Sequence, residues 1–247
     1  MNNIRPLALV FGGSRGIGAA CVEALARSGF DVAFTYTSQP MAARALEEKA
    51  NTYGAKVKSH DVDIRDAMAV NAVFVQAKKD FDRPLQTVVA NAGINVPPAP
   101  VAKFNDDDFR HLVEINLVGA FHVLRAAAIE VADGGTITAL TTSLVRYAVP
   151  GVGPYSATKA AVECLVRSMP KELAPRGIRV NAVAPGPIDT DLFRAGKTEE
   201  ARQHSASMSP LNRIGTPEEV ANVVAFLASQ KASWMDGQIV QVNGALV

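Results

Sequence analysis

The 247-residue chain has few cysteines and almost no net charge. Two cysteines without a CxxC pair exclude a disulfide-rich secreted scaffold and a zinc-finger type of metal site. Lys and Arg number 25 and Asp and Glu number 24, which gives a net charge of +1. That balance lacks the basic bias typical of proteins that bind nucleic acid or a membrane surface. We expect no such partner, a cytoplasmic location, and buried Cys21 and Cys164 side chains in a reducing compartment.

Long apolar runs and spaced metal ligands are also missing. The run Leu7–Phe11 is too short for the apolar region of a signal peptide, and no other stretch is expected to span a membrane. His60, His111, His122 and His204 are scattered along the sequence, so no metal site is predicted. The hydrophobic share of 48% suits a globular protein, and the length suits one α/β domain over residues 1–247.

Apolar segments of strand length alternate with longer segments of helical period. This pattern predicts repeated βαβ units, hence a doubly wound parallel sheet of seven strands with helices on both faces. The predicted strands are Leu7–Phe11, Asp31–Thr37, Lys56–His60, Thr87–Ala90, Thr136–Leu140, Arg179–Ala184 and Ile239–Val242. Two stretches beyond strand ends, Ile94–Lys103 and Pro185–Met208, are expected to be irregular and to lie where ligands bind such sheets.

A glycine-rich segment, Gly12-Gly13-Ser14-Arg15-Gly16-Ile17-Gly18, follows the first predicted strand and precedes a helical segment. Glycines let the backbone approach a pyrophosphate closely, and the start of a helix favours its negative charge. The segment lacks the Gly-Lys-Ser/Thr ending of a nucleoside triphosphatase loop. A strand-to-helix turn without a ligand would use the same glycines, so spacing alone leaves both interpretations open.

The end of the second predicted strand indicates which dinucleotide is bound. A carboxylate there would accept hydrogen bonds from the adenosine ribose and would repel a 2′-phosphate. The sequence Phe34-Thr35-Tyr36-Thr37-Ser38 contains no acid. Arg15 and the Ser38 hydroxyl are instead suited to a phosphate. NADP(H) is therefore the predicted cofactor, with NAD(H) as the second option.

Tyr155 and Lys159 are four residues apart in a helical segment, so they lie on one face. A nearby cation stabilises phenolate, which predicts a Tyr155 pKa below its usual value of about 10 and a role as general acid or base. The hydroxyls of Thr141-Thr142-Ser143 follow a predicted strand, where one of them would hold a substrate oxygen beside the phenol. Local turn bonds are the alternative use of these hydroxyls.

Together these motifs resemble the short-chain dehydrogenase/reductase family over nearly the whole chain, and look most like its 3-oxoacyl-[acyl-carrier-protein] reductase branch. The matching segments are Leu9–Gly18, Asp61-Val62, Asn91-Ala92-Gly93, Asn116 within Glu114–Leu117, Tyr155 with Lys159, and Pro185-Gly186 with Ile188 and Thr190. The resemblance implies a Rossmann fold and the catalytic set Asn116, Ser143, Tyr155 and Lys159. The expected cofactor contacts are Gly12, Ser14, Arg15, Gly16, Ile17, Gly18, Tyr36, Ser38, Asp61, Val62, Asn91, Ala92, Gly93, Tyr155, Lys159, Pro185, Gly186, Ile188 and Thr190.

By position in the family, Tyr155 would be the acid/base, Lys159 would bind the nicotinamide ribose and lower the Tyr155 pKa, and Asn116 would hold a water in a proton relay. Three positions depart from the family pattern. Phe11 replaces a Thr whose hydroxyl ties the glycine loop to the strand before Asn91, which would weaken cofactor binding. The family spacing falls on Thr142, whereas we favour Ser143 as the hydroxyl that orients the substrate. Pro170 is expected to interrupt and kink its helix.

The predicted function is hydride transfer between NADP(H) and a small-molecule carbonyl or alcohol, with a ketone or a 3-oxoacyl thioester as the favoured substrate. A sugar, polyol or secondary-alcohol dehydrogenase working oxidatively is the alternative, and a nucleotide-sensing protein without catalysis is a remote one. The resemblance of Arg213–Val247 to the family's C-terminal region implies a homotetramer. The segment Phe193–Met208 is either a mobile lid over the substrate or surface packing.

Overall fold

Seven parallel strands form one sheet in the computed structural model, which describes residues 5–247. The strands are β1 (Leu7–Phe11), β2 (Asp31–Tyr36), β3 (Val57–Asp61), β4 (Leu85–Ala90), β5 (Val131–Leu140), β6 (Arg179–Pro185) and β7 (Ile239–Val242). Their order across the sheet is β3-β2-β1-β4-β5-β6-β7. The predicted fold class and the seven-stranded parallel sheet are confirmed.

Helices cover both faces of this sheet. They are α1 (Gly16–Arg27), α2 (Pro40–Asn51), α3 (Ala67–Phe81), α4 (Asp106–Leu112), α5 (Ala120–Glu130), α6 (Gly153–Leu173), α7 (Asp191–Arg194), α8 (Glu199–Ser207) and α9 (Pro217–Ala228), with a π-helical segment, Val113–Gly119, between α4 and α5. Phe74 of α3 and Val166 of α6 lie in one buried apolar cluster, and Leu25 of α1 and Val224 of α9 lie in the other. Because both faces are covered, β1 is apolar throughout and fully buried.

Some boundaries differ from the prediction. β5 begins at Val131, where it pairs with Leu85 of β4 across a register shift. The stretch 185–208 is not irregular throughout, because α7 and α8 begin there after Thr190 and Thr198, whose hydroxyls accept backbone N–H bonds. Pro170 does not interrupt α6, which continues to Leu173 with its apolar face packed beneath the sheet.

The two cysteines have different surroundings. Cys21 of α1 is fully buried, and that burial raises the pKa of its thiol to about 12. Cys164 is exposed, which corrects the expectation that both are buried. It follows the buried Glu163 on α6 and therefore lies on the solvent side of an amphipathic helix.

One helical run differs from the expectation that nothing approaches a membrane span. Residues Asp106–Glu130 form a continuous helical run of 25 residues. A stretch of 18 residues within this run has a mean hydropathy of 1.5, and 39% of that stretch is buried. By length and composition such a helix could cross a membrane, although a core helix of a soluble protein passes the same test. Its second half, α5, packs against β4, β5, α3 and α6 as part of one helical layer.

Candidate active site

The carboxyl ends of the strands gather the sequence motifs at one edge of the sheet. A cleft of about 300 Å³ lies there, between the loop after β1 and the segments after β2, β3 and β4. The predicted cofactor residues in its walls are Gly12, Ser14, Arg15, Gly16, Ile17, Gly18, Tyr36, Ser38, Val62, Asn91, Ala92, Gly93 and Thr190. The other wall residues, which were not among the predicted cofactor contacts, are Thr35, Thr37, Asp63, Ile64, Arg65, Ile94, Ile115, Asp191 and Leu192.

The glycine loop is shaped by the absence of side chains. A Cβ at Gly18 would lie 2.0 Å from the Gly12 carbonyl oxygen, and a Cβ at Gly12 would lie 2.9 Å from the Ala92 Cα. Helix α1 begins directly after the loop, with no side-chain cap at Arg15 and no acid in its first turn. The positive end of the helix dipole is therefore available to an anion, as a pyrophosphate requires.

Two side chains hold the loop although Phe11 offers no hydroxyl. The Asn91 amide donates to the carbonyl oxygens of Phe11 at 3.1 Å and Gly12 at 2.9 Å. The Thr35 hydroxyl accepts from the Gly12 N–H at 3.1 Å, and its carbonyl oxygen accepts from the Gly13 N–H at 2.8 Å. Asn91, which directly follows β4, thus connects the loop to that strand. The absence of a hydroxyl at Phe11 therefore gives no reason to expect weakened cofactor binding.

Arg15 and Ser38, the two side chains predicted to hold a 2′-phosphate, both line the cleft. Arg65 lines the same cleft, with its Nε 2.9 Å from Asp63 Oδ2 and 3.1 Å from Asp63 Oδ1. These hydrogen bonds hold the pKa of the Asp63 carboxyl below its usual range. Sequence reasoning missed both residues, which follow β3 shortly after the predicted pair Asp61-Val62.

The inner end of the cleft borders the predicted catalytic residues. A Cβ added to Gly93 would lie 3.0 Å from Asn116 Oδ1 and 3.1 Å from Lys159 Nζ. Asn116 is fully buried in the π-helical segment, donates to the Ile94 carbonyl oxygen at 2.9 Å and accepts from the Ile94 N–H at 2.8 Å. Its carboxamide therefore fixes the chain after β4, while its role in holding a water stays a prediction.

The Tyr155 pKa does not behave as the helical spacing predicts. Burial raises it to about 12, and a hydrogen bond with the Thr142 side chain acts in the lowering direction. Lys159 donates instead to the Leu140 carbonyl oxygen at 3.1 Å, and burial lowers its pKa to about 8. The expected lowering of the Tyr155 pKa by Lys159 is therefore absent in the protein without cofactor, because loss of solvation determines the direction of the shift.

The adjacent hydroxyls of Thr142 and Ser143 have different partners. The Thr142 side chain is near enough to the Tyr155 phenol to act on its pKa in the lowering direction. Ser143 is fully buried, and its Oγ lies 3.0 Å from the Ala184 carbonyl oxygen and 3.0 Å from Gln241 Oε1. The Ser143 hydroxyl is therefore bonded away from the phenol, which favours Thr142 as the hydroxyl beside it; which of the two orients a substrate stays a prediction.

Six predicted cofactor residues do not line the cleft: Asp61, Tyr155, Lys159, Pro185, Gly186 and Ile188. Pro185 ends β6, and Ile188 forms a parallel bridge with Gly215. Beyond them, the Thr190 side chain lies 3.2 Å from the position of a Cβ on Gly16. The segment after β6 therefore reaches back to the glycine loop through Thr190.

Comparison with known proteins agrees with this geometry. The family model described as Enoyl-(Acyl carrier protein) reductase matches residues 12–246. A solved short-chain dehydrogenase/reductase from Serratia marcescens superimposes with a TM-score of 0.91 at 34% identity, covering 98% of this chain and 97% of that one. The chain belongs to the short-chain dehydrogenase/reductase family.

Two curated relatives of this family member are named reductases. An NADPH-dependent aldehyde reductase-like chloroplastic protein of Arabidopsis thaliana is 37% identical, over 98% of this chain and 94% of the relative. The 3-oxoacyl-[acyl-carrier-protein] reductase of Aquifex aeolicus is 36% identical, over 97% of this chain and 96% of the relative. The family member is accordingly an oxidoreductase that acts on carbonyl or alcohol groups.

Proposed function

We propose that this short-chain dehydrogenase/reductase is an NADP(H)-dependent carbonyl reductase with Tyr155 as its proton donor. The observation that carries the proposal is the proximity of Asn116 and Lys159 to Gly93 in the wall of the cleft, with Tyr155 one helical turn before Lys159. A protein that only senses a nucleotide has no use for a paired phenol and hydroxyl beside its binding cleft.

The residues of the cleft fit NADP(H). The glycine loop and the uncapped start of α1 would hold the pyrophosphate, and Arg15 with Ser38 would hold the 2′-phosphate. A bound nicotinamide supplies or accepts the hydride. The NADPH-dependent relative supports this choice. An efficiency with NADH equal to that with NADPH would count against it.

The side chains supply the proton and orient the oxygen. During reduction the carbonyl carbon gains a hydride, the C=O π bond breaks, and the oxygen takes the proton of the Tyr155 hydroxyl. Burial raises the Tyr155 pKa, so the hydroxyl is protonated at neutral pH and its proton is available for the acid role. Thr142 would donate a hydrogen bond to the same oxygen, and Lys159 would bind the nicotinamide ribose.

The substrate class rests on the relatives as well as on the site. Aldehydes, ketones and 3-oxoacyl thioesters are the candidates, because named relatives are an aldehyde reductase and a 3-oxoacyl-[acyl-carrier-protein] reductase. Oxidation of a sugar, a polyol or a secondary alcohol is the alternative, since the same residues serve the reverse reaction. Following NADPH consumption with a panel of carbonyl compounds, and NADP⁺ reduction with alcohols, separates the two.

Replacement of Tyr155 tests the mechanism. Tyr155→Phe removes the proton donor without emptying its site, so we expect turnover to fall at least about 1,000-fold while NADPH binds with unchanged affinity. Tyr53→Phe is the control, because that phenol bonds to Glu23 on the far side of α1 and should leave both quantities unchanged. Substantial turnover by Tyr155→Phe would refute the assignment.

A homotetramer and a cytoplasmic location also stay predictions. Trp234 is 99% exposed and Phe226 on α9 is 40% exposed, so the C-terminal region carries aromatic side chains suited to contact with a second copy. Light scattering tests the assembly, and a monomeric protein would contradict the prediction of a homotetramer. Fractionation of the producing cells tests the location, because one relative is chloroplastic.

A further inference from the structure

Ser143 lies where three strands end. Its Oγ is 3.0 Å from the Ala184 carbonyl oxygen of β6 and 3.0 Å from Gln241 Oε1 of β7, so its single proton lies between two acceptors. Asn243 Nδ2 donates to the same Oγ at 3.1 Å. The residue is fully buried. These three partners tie the end of β5 to β6 and to the segment after β7.

The same group of side chains reaches the C-terminal segment. Asn243 Oδ1 accepts from the Leu246 N–H at 3.3 Å, and its Nδ2 lies 3.4 Å from Gln241 Oε1. Buried polar groups of this kind are costly unless they are paired, so removing one partner leaves the others unsatisfied. The network therefore resists movement of Ser143 relative to β6 and β7.

Thr142 is coupled to this network through one peptide bond. Its backbone is extended, with φ −161° and ψ 145°, so its side chain and that of Ser143 point to opposite sides. The Thr142 hydroxyl reaches the Tyr155 phenol on one side while Ser143 is held on the other. The Ser143 carbonyl oxygen also accepts from the N–H groups of Arg146 and Tyr147, both at 2.9 Å.

We propose that Ser143 is a positioning residue that acts on catalysis through Thr142. It touches neither the substrate nor the phenol, and it fixes the Thr142 hydroxyl at the place where the carbonyl oxygen must sit. Small displacements of such groups are costly, since a shift of about 1 Å is worth about 100-fold in rate. The inference rests on the proposed function, because it takes Thr142 as the hydroxyl that orients the substrate.

A double-mutant cycle on kcat tests the proposal. The variants are Ser143→Ala, Thr142→Val and the double variant, measured with saturating NADPH and the best carbonyl substrate of the panel. We expect Ser143→Ala alone to lower kcat about 10-fold with the NADPH KM unchanged. In the Thr142→Val background the same substitution should have no further effect, because the group that it positions is gone.

Stability measurements separate positioning from general damage. Loss of the buried hydroxyl should lower the melting temperature equally in both backgrounds, whereas its effect on kcat should disappear with Thr142. Gln241→Leu provides a second variant, because it removes an acceptor from the β7 side and leaves the Ser143 hydroxyl intact. It should lower kcat less than Ser143→Ala, again only when Thr142 is present. Ser168→Ala, at an exposed serine of α6 bonded to Glu172, is the control.

Equal losses of kcat in both backgrounds would overturn the proposal, as would an unchanged kcat in Ser143→Ala. This failure differs from failure of the proposed function. If Tyr155→Phe is inactive and the substitutions at Ser143 and Thr142 lower kcat additively, the proposed function is supported and Ser143 has only a structural role. If Tyr155→Phe is active, the assignment of Tyr155 fails, and the cycle still measures the coupling between the two hydroxyls.

Discussion

The two ends of the cleft are built in different ways. At the phosphate end, the shape comes from positions without side chains, and Gly18 has a backbone oxygen 2.0 Å from where a Cβ would be. At the catalytic end, the shape comes from hydrogen bonds of buried side chains, such as those of the Asn116 carboxamide with the backbone of Ile94. The phosphate end cannot accommodate a side chain at Gly18, whereas the catalytic end depends on the direction in which adjacent hydroxyl groups point.

The largest expected effect tests the phosphate end. Gly18→Ala would place a methyl group against the Gly12 carbonyl oxygen and the Asn91 amide, so the loop must move. We expect NADPH binding, measured by fluorescence titration, to weaken about 100-fold or more. Gly153→Ala is the matched control, since the nearest atom to its Cβ is 3.9 Å away, in Val101. Unchanged binding by Gly18→Ala would show that the loop is more adaptable than its contacts indicate.

An intermediate effect is expected at the catalytic end, where a buried cation costs stability. Burial lowers the Lys159 pKa from 10.5 to about 8, so between these values the folded chain binds fewer protons than the unfolded chain and stability rises with pH. Lys159→Met should remove this rise and stabilise the protein at pH 7 by about 3 kcal/mol. Burial raises the Tyr155 pKa from 10.0 to about 12, so the ionisation of Tyr155 lowers the stability of the folded protein only above pH 10.

Denaturant unfolding from pH 7 to 10 measures this difference. Lys79→Met, at an exposed lysine on α3, is the control and should follow the wild-type curve. A variant Lys159→Met that unfolds with the wild-type pH dependence would show that the ammonium is solvated in solution. It would also weaken the contrast between the two ends of the cleft.

The smallest effect concerns the side chain that holds the glycine loop. Thr35→Val removes the acceptor for the Gly12 N–H, worth about 1 kcal/mol, so the Kd for NADPH should rise about 5-fold with kcat unchanged at saturation. Thr87→Val is the control, because that buried hydroxyl bonds to Thr136 outside the cleft. An effect of the same size in both variants would assign the loss to general destabilisation.

The features that depend on backbone shape were predictable from the sequence. The seven strands and their parallel arrangement follow from apolar segments alternating with helical ones, and Gly12–Gly18 forms the turn from β1 into the first residues of α1, as its glycines indicated. The boundary of β5 was not predictable, because Asp133, Gly134 and Gly135 are typical of a turn. Thr35 carried a usable signal, as a hydroxyl near the end of an otherwise apolar strand.

Side-chain direction and burial could not be predicted. Thr142 and Ser143 are chemically alike and adjacent, so only the path of the chain after β5 decides which one meets Tyr155. The spacing of Tyr155 and Lys159 brings their Cα atoms onto one helical face, but the ammonium extends to the Leu140 carbonyl oxygen instead. Sequence alone does not give the burial that determines both pKa values.

The π-helical segment Val113–Gly119 determines the direction in which Asn116 points. A π turn accommodates one residue more than an α turn, so deleting one residue here would restore regular α-helix and change the orientation of Asn116 relative to α4 and α5. The helix would still be continuous and apolar, yet the carboxamide would no longer face Ile94. The extra residue of the π turn therefore distinguishes this helix from a regular core helix and places Asn116 beside the wall of the cleft.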